Sequence, residues 1–226
     1  MIRLENMTKK YRHLTVFDHL NITFEPNIPI HIKGTNGCGK SVLLKLITGY
    51  SLPDEGFVSV DGIRIGIDRD FLPDAGVVIN SPEFIRNLSG LDNLLDLASI
   101  RKICTKEKIV SLAKEFHFET ELTKKYKTYS TGMKQKMRLI QALMEDPRYL
   151  ILDEPFDGLD LASKKILKKK LENYLKKSGN TLIYTNHEDD IHLDGEHTYL
   201  IDCFILKELP LDTDNKERYG FEGETE

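Results

Sequence analysis

A chain of 226 residues, 40% hydrophobic and 30% charged, can bury a sizeable core, and its composition excludes a disordered or fibrous protein. With 32 basic and 36 acidic residues the net charge is -4, so no global basic field draws the chain to nucleic acid or an anionic membrane. The three cysteines, Cys38, Cys104 and Cys203, form no spaced set of zinc ligands and fit a reducing cytosol.

The chain opens in alternation: Ile2 and Leu4, then Leu20, Ile22 and Phe24, stand among polar neighbours before the turn Glu25-Pro26-Asn27. This pattern predicts an edge layer of short β-strands. Pro29 to Ile32 reads as a brief strand running into glycines, and Val42 to Ile47 has the apolar density of a buried helix. Alternation around Asp61-Gly62, from Phe57 to Ile67, predicts a hairpin returning to the first layer, and Gly76 to Ile79 another buried strand. From Leu91 to Phe118 the spacing of Leu91, Leu94, Leu95, Ile109, Leu112 and Phe116 predicts a helical insertion.

A second helical stretch is expected over Lys134 to Met144, leading through Asp146-Pro147 into the strand Tyr149 to Leu152. A lysine-rich helix then precedes the strand Thr181 to Tyr184. Ile166, Leu167, Leu171, Tyr174 and Leu175 recur in it at helical spacing, so the lysines from Lys164 to Lys177 read as its wet face. Strands alternating with helices imply an α/β fold with a mainly parallel sheet. No apolar run approaches the roughly 20 residues of a membrane span, and the opening Met-Ile-Arg-Leu-Glu-Asn lacks a signal-peptide layout. Any membrane in its work is therefore expected to come from another chain.

Gly34-Thr35-Asn36-Gly37-Cys38-Gly39-Lys40-Ser41 matches G-x-x-x-x-G-K-[ST], with a strand before it and a helix after it. Such a loop turns backbone N–H groups inward around phosphates, and the helix N-terminus adds partial positive charge. Lys40 is placed to reach the β- and γ-phosphates and Ser41 to ligate magnesium. Cys38 reads as a small filler within the loop. The strand Tyr149 to Leu152 delivers Asp153-Glu154 to the carboxyl edge of a parallel sheet, where ligand sites gather. Asp153 suits a hydrated magnesium ion, and Glu154 suits a water in line with the γ-phosphate.

Tyr129-Ser130-Thr131-Gly132-Met133 opens the helix just upstream of that acidic strand. Here the chain resembles the ATP-binding cassette family, whose signature, usually L-S-G-G-Q, also opens a helix. Ser130 and Gly132 keep the hydroxyl and the close backbone approach that the resemblance assigns to a γ-phosphate. Phe156-Asp157-Gly158-Leu159-Asp160 resembles the loop that crosses the dimer interface, His187 the switch histidine, and Tyr11 the aromatic residue on which adenine stacks. Asn80 stands where family members commonly carry a glutamine that serves the magnesium ion. Val42 stands where a second hydroxyl is common, which should remove one α-phosphate hydrogen bond worth about 1 kcal/mol.

The resemblance covers about Ile2 to Ile205 and implies a P-loop NTPase core with an N-terminal antiparallel β-layer and a helical subdomain. A single domain over residues 1–210 is expected, with the helical part at about 80–130 and residues 211–226 as an acidic tail. It further implies ATP and Mg²⁺ as ligands, Lys40, Glu154 and His187 as catalytic groups, and a head-to-tail pairing with a second cassette. The expected role is the nucleotide-binding subunit of a transporter, the signature looking most like bacterial exporters, on the inner face of the cell membrane. A separate transmembrane permease would dock near residues 80–91. The alternative is a soluble cassette acting on ribosomes or nucleic acid. The gap in the core is too short for the coiled coil of DNA-repair members, and only one P-loop is present where translation-type members carry two.

Overall fold

The computed structural model describes residues 1–186 and 191–210. The chain begins with two long strands, β1 (Ile2–Tyr11) and β2 (Leu14–Phe24), paired antiparallel. They are longer than the short strands expected from the alternation, because register shifts after Leu4, Met7 and Lys9 interrupt the period without ending the ladder. β3 (Pro29–Lys33) leads into α1 (Lys40–Thr48), and then β4 (Glu55–Val60) and β5 (Ile63–Ile65) form the expected hairpin. Asp61 and Gly62 turn it with φ of 49° and 84°, the left-handed pair that a two-residue hairpin loop demands. β4 pairs with β1, which closes a four-stranded antiparallel sheet in the order β2-β1-β4-β5.

β6 (Ala75–Val78) starts the return through the second sheet, followed by α2 (Gly90–Arg101) and α3 (Lys106–Glu115). The helix α4 (Thr131–Leu143) precedes β7 (Tyr149–Leu152), and α5 (Leu161–Leu175) precedes β8 (Thr181–Thr185). Two strands that the sequence pattern did not mark, β9 (His197–Asp202) and β10 (Ile205–Glu208), complete a six-stranded sheet ordered β10-β9-β3-β8-β7-β6. All its pairings are parallel except β9 with β10.

Both faces of this sheet are covered, so its central strands are largely buried and mainly apolar while alternating in partner. Leu150, Leu152, Leu182 and Tyr184 pack with α2 to α5, whereas Ile151, Ile183, Ile30 and Ile32 pack with α1 and the antiparallel sheet. Because these strands run parallel, the carboxyl ends of β3, β6, β7 and β8 reach one edge together. Among the described residues no helix is long and apolar enough to cross a membrane. His187 and residues 211–226 lie outside the described residues.

Candidate functional site

The loop from Gly34 to Gly39 joins β3 to α1 at that edge. Gly34 takes a φ of 147°, and a Cβ there would meet the Ile201 carbonyl oxygen at 2.6 Å and Cys38 Sγ at 2.5 Å. Glycine is therefore required by conformation and by space. Gly39 caps α1 from the left-handed region, with φ of 112°, and as a glycine it brings no side chain of its own to the first N–H groups of α1. Thr35, Asn36 and Gly37 are exposed at the loop tip, while Cys38 is buried beneath it. The Lys40 ammonium is folded back to donate to the carbonyls of Gly34 at 2.7 Å and Thr35 at 3.2 Å. Val42, half-buried, offers only methyl groups where a hydroxyl would donate.

Ser41 donates its hydroxyl to Asp153 Oδ2 at 2.7 Å, which joins the start of α1 to the end of β7. Asp153 Oδ1 accepts from the Thr185 hydroxyl at 2.8 Å, and the Asp153 backbone N–H bonds the Val78 carbonyl at 2.7 Å. Glu154 sits in the left-handed region, with φ of 51°. This conformation is costly for a residue with a Cβ and persists where neighbours over-determine it. Here the Glu154 N–H donates to Thr185 Oγ1 at 2.9 Å, and Gln135 Nε2 donates to the carbonyls of Glu154 at 3.1 Å and Pro155 at 3.0 Å.

Asn80 and Ser81 follow β6 with φ of 54° and 49°, an exposed left-handed turn beside the acidic strand. The next residues are tied to α4 rather than left loose. Arg138, nearly buried, donates to the Pro82 carbonyl at 2.9 Å, the Ser81 carbonyl at 3.4 Å and Gln135 Oε1 at 3.3 Å, and it pairs with Glu83 at 3.3 Å.

Ser130 is the N-cap of α4 and accepts the Met133 N–H at 3.3 Å. Its exposed hydroxyl thus serves the helix start as any capping serine would. Gly132 has a second constraint, since a Cβ there would stand 2.7 Å from the Gly158 carbonyl oxygen. Tyr129 is buried behind the turn, where its hydroxyl donates to the Glu121 carbonyl at 2.8 Å and burial pushes its pKa up to about 12. Tyr11 stands exposed at the end of β1, with the Lys9 ammonium 5.1 Å from its ring centroid.

The fold therefore gathers Gly34 to Ser41, Asn80, Asp153 and Glu154 at the carboxyl edge of one parallel sheet. Ser130 and Gly132 lie at the start of α4, beside the Gly158 turn. Thr185, Gln135 and Arg138 support the site and were not read as such from the sequence. Thr185 and the Ser41–Asp153 pair bring together residues more than a hundred positions from the phosphate loop. Gln135 and Arg138 carried no distinguishing signal, because the same helix holds Lys134, Lys136 and Gln141, polar residues that are only partly buried.

Residues 17–157 match the family model described as ABC transporter. The uncharacterized ABC transporter ATP-binding protein YybJ of Bacillus subtilis is 30% identical over 84% of this chain and 88% of its own length. The bacitracin transport ATP-binding protein BcrA of Enterococcus faecalis is 30% identical over 83% of this chain, which spans 61% of that protein. A spermidine/putrescine import ATP-binding protein, PotA of Acetivibrio thermocellus, is 26% identical over 89% of this chain and 58% of its own length. Among solved structures, the dimeric bacterial ABC transporter cassette MJ0796 superposes with a TM-score of 0.80 at 23% identity, covering 92% of this chain and 97% of that one.

Proposed function

The chain belongs to the ABC transporter family of ATP-binding proteins, and from that premise we propose that it powers a bacterial-type exporter by ATP-driven closure of two cassettes. It is an ATPase, and nucleotide binding and hydrolysis belong to the family as a whole. The observation that carries the site assignment is the 2.7 Å bond from Ser41 to Asp153, which sets a phosphate loop against an acidic strand end. The hydroxyl and the carboxylate are hard oxygen donors, as Mg²⁺ prefers, and Ser41 and Asp153, with Asn80 beside them, would hold it. When bound, Mg²⁺ offsets charge on the β- and γ-phosphates.

This chain's own groups do the rest. ATP phosphates would take the Lys40 ammonium from the carbonyls of Gly34 and Thr35, exchanging neutral acceptors for charged ones. The N–H groups at the start of α1 would meet the phosphate oxygens, and Tyr11 would stack the base. Glu154 would accept a proton from the attacking water, and His187 would orient the γ-phosphate. Ser130 and Gly132 of the opposite cassette would close over that phosphate from the far side.

The unit folds as one domain, with residues 80–130 forming the helical part, and works at the inner face of the cell membrane. The permease would dock on a cleft lined by Tyr50, Phe84, Ile85 and Leu97, in which Tyr50 is 57% and Ile85 59% exposed. The Arg138 bonds to residues 81–83 would carry movement of that surface to α4. Export rather than import is favoured by the form of the signature, Tyr129 to Met133.

The test is affinity purification of the tagged chain from detergent-solubilised cells of its host, with mass spectrometry of what accompanies it. A stoichiometric multi-spanning polypeptide is the expected result. Ribosomal or DNA-processing partners would overturn the transport reading and leave the ATPase chemistry intact.

A further inference from the structure

Away from the phosphate loop, a second cluster of titratable groups lies on the helix-covered face of the parallel sheet. His31, in β3, is fully buried and stacks on Tyr184, its register partner in β8, with ring centroids 4.6 Å apart and planes 7° apart. Its Nδ1 is 3.2 Å from Glu196 Oε1, and Nδ1 of His192 is 2.6 Å from the same oxygen. One donor atom from each of the three residues lies within 4.8 Å of the other two.

The other carboxylate oxygen is already held. The Tyr184 hydroxyl and the Leu193 backbone N–H, at 2.9 Å, both donate to Glu196 Oε2. Glu196 is thereby fixed through one oxygen and presents the other to two imidazoles and, at 3.4 Å, to the Thr198 hydroxyl, the way outer hydrogen bonds aim a metal-binding carboxylate. His31 Nε2 is buried with no hydrogen-bond partner among the described residues. Between Ile30 and Ile32 an aliphatic residue would pack without orphaning a ring nitrogen, so what a histidine adds here is its Nδ1, which faces Glu196.

We propose that His31, His192 and Glu196 bind a divalent transition-metal ion of the zinc class. Two imidazole nitrogens and one carboxylate oxygen form a donor set that zinc accepts, with a fourth position left for water. Two ligand atoms on one tetrahedral zinc stand roughly 3.3 Å apart, given bonds of about 2.0–2.1 Å. The 3.2 Å separation of His31 and Glu196 already meets this, and half-buried His192, at 2.6 Å from the same oxygen and with its donor atom within 4.8 Å of the other two, must shift to reach that spacing from both. The ion takes the place of the protons that the imidazoles now share with the carboxylate. It links β3, which runs straight into the phosphate loop, to the chain that follows β8. The Ser41–Asp153 pair, built of oxygen alone, selects a harder ion.

The purified full chain, held in excess Mg²⁺ to occupy oxygen donors, is titrated with Zn²⁺ by calorimetry, with thermal unfolding followed with and without Zn²⁺. The expected result is one saturable ion per chain and a Zn²⁺-dependent rise in Tm. Binding should weaken at least about 100-fold in both His192→Ala and Glu196→Gln. His192→Ala truncates a side chain that is only partly buried, and circular dichroism of the metal-free variant checks its fold. Absence of saturable binding, or Zn²⁺ affinity equal in wild type and both variants, overturns the assignment and leaves a hydrogen-bond network alone. Because metal binding rather than ATP turnover is read, this outcome is independent of the transport proposal.

Discussion

The Thr185 hydroxyl donates to Asp153 Oδ1 at 2.8 Å while it accepts the Glu154 N–H at 2.9 Å, so one side chain ending β8 sets both acids ending β7. Thr185→Val keeps the shape and removes both bonds. A small misplacement of reacting groups can cost up to about 100-fold, so kcat for ATP is expected to fall about 10- to 100-fold, with a smaller change in KM. Unfolding free energy should drop by about 1–3 kcal/mol for the unpartnered buried groups, and Thr185→Ser should restore most of both. Steady-state ATPase assays with denaturant unfolding check this, and an unchanged kcat in Thr185→Val would remove the positioning role.

Glu154→Gln preserves size and the backbone bonds to Thr185 and Gln135 but cannot accept a proton. Turnover should fall on the order of 10²–10⁴-fold while ATP binding persists. Single-turnover kinetics beside equilibrium binding of ATP separates the two, and wild-type turnover would dismiss Glu154 as base.

Gly34→Ala puts a Cβ at 2.6 Å from the Ile201 carbonyl in a backbone region that only glycine populates freely. The conformation alone costs about 1–3 kcal/mol, and relieving the contact must displace either β9 or the phosphate loop. Reduced stability together with lost ATP affinity is expected. Nucleotide titration and urea unfolding of the variant provide the check.

Asp160 caps α5, accepting the Ser163 N–H at 2.8 Å, and that bond, opposed by partial burial, holds its carboxyl below the usual aspartate range. A depressed folded pKa means stability that is present above the unfolded pKa of about 3.9 and lost as pH falls through the folded value. Asp160→Ala should cost about 1 kcal/mol at neutral pH, with the gap to wild type shrinking below about pH 4. Urea unfolding at neutral and acidic pH measures it, and a gap that does not change with pH would argue against an ionised cap.

The phosphate loop, the acidic strand end and the alternation of strands with helices could be read directly because each is local. A cradle of N–H groups is made by consecutive backbone, so Gly34 to Ser41 carries its whole geometry in its spacing. β9 and β10 were less legible, since half-exposed strands such as His197–Asp202 lack a clean apolar alternation. The pairing of β9 with β3 was decided by chain packing. Ser41 meets Asp153 across 112 positions and His31 meets Glu196 across 165, pairings that strand order creates and no residue period encodes. The sequence by itself therefore determined the local units with clear spacing, the glycine loop and the acidic strand end among them, and the residue types each presents. Only the tertiary structure decided that Thr185 would orient two acids, that Arg138 would tie residues 81–83 to α4, and that two histidines would share one carboxylate. Those contacts depend on which strands lie side by side, and that order is set by burial of the whole sheet on both faces.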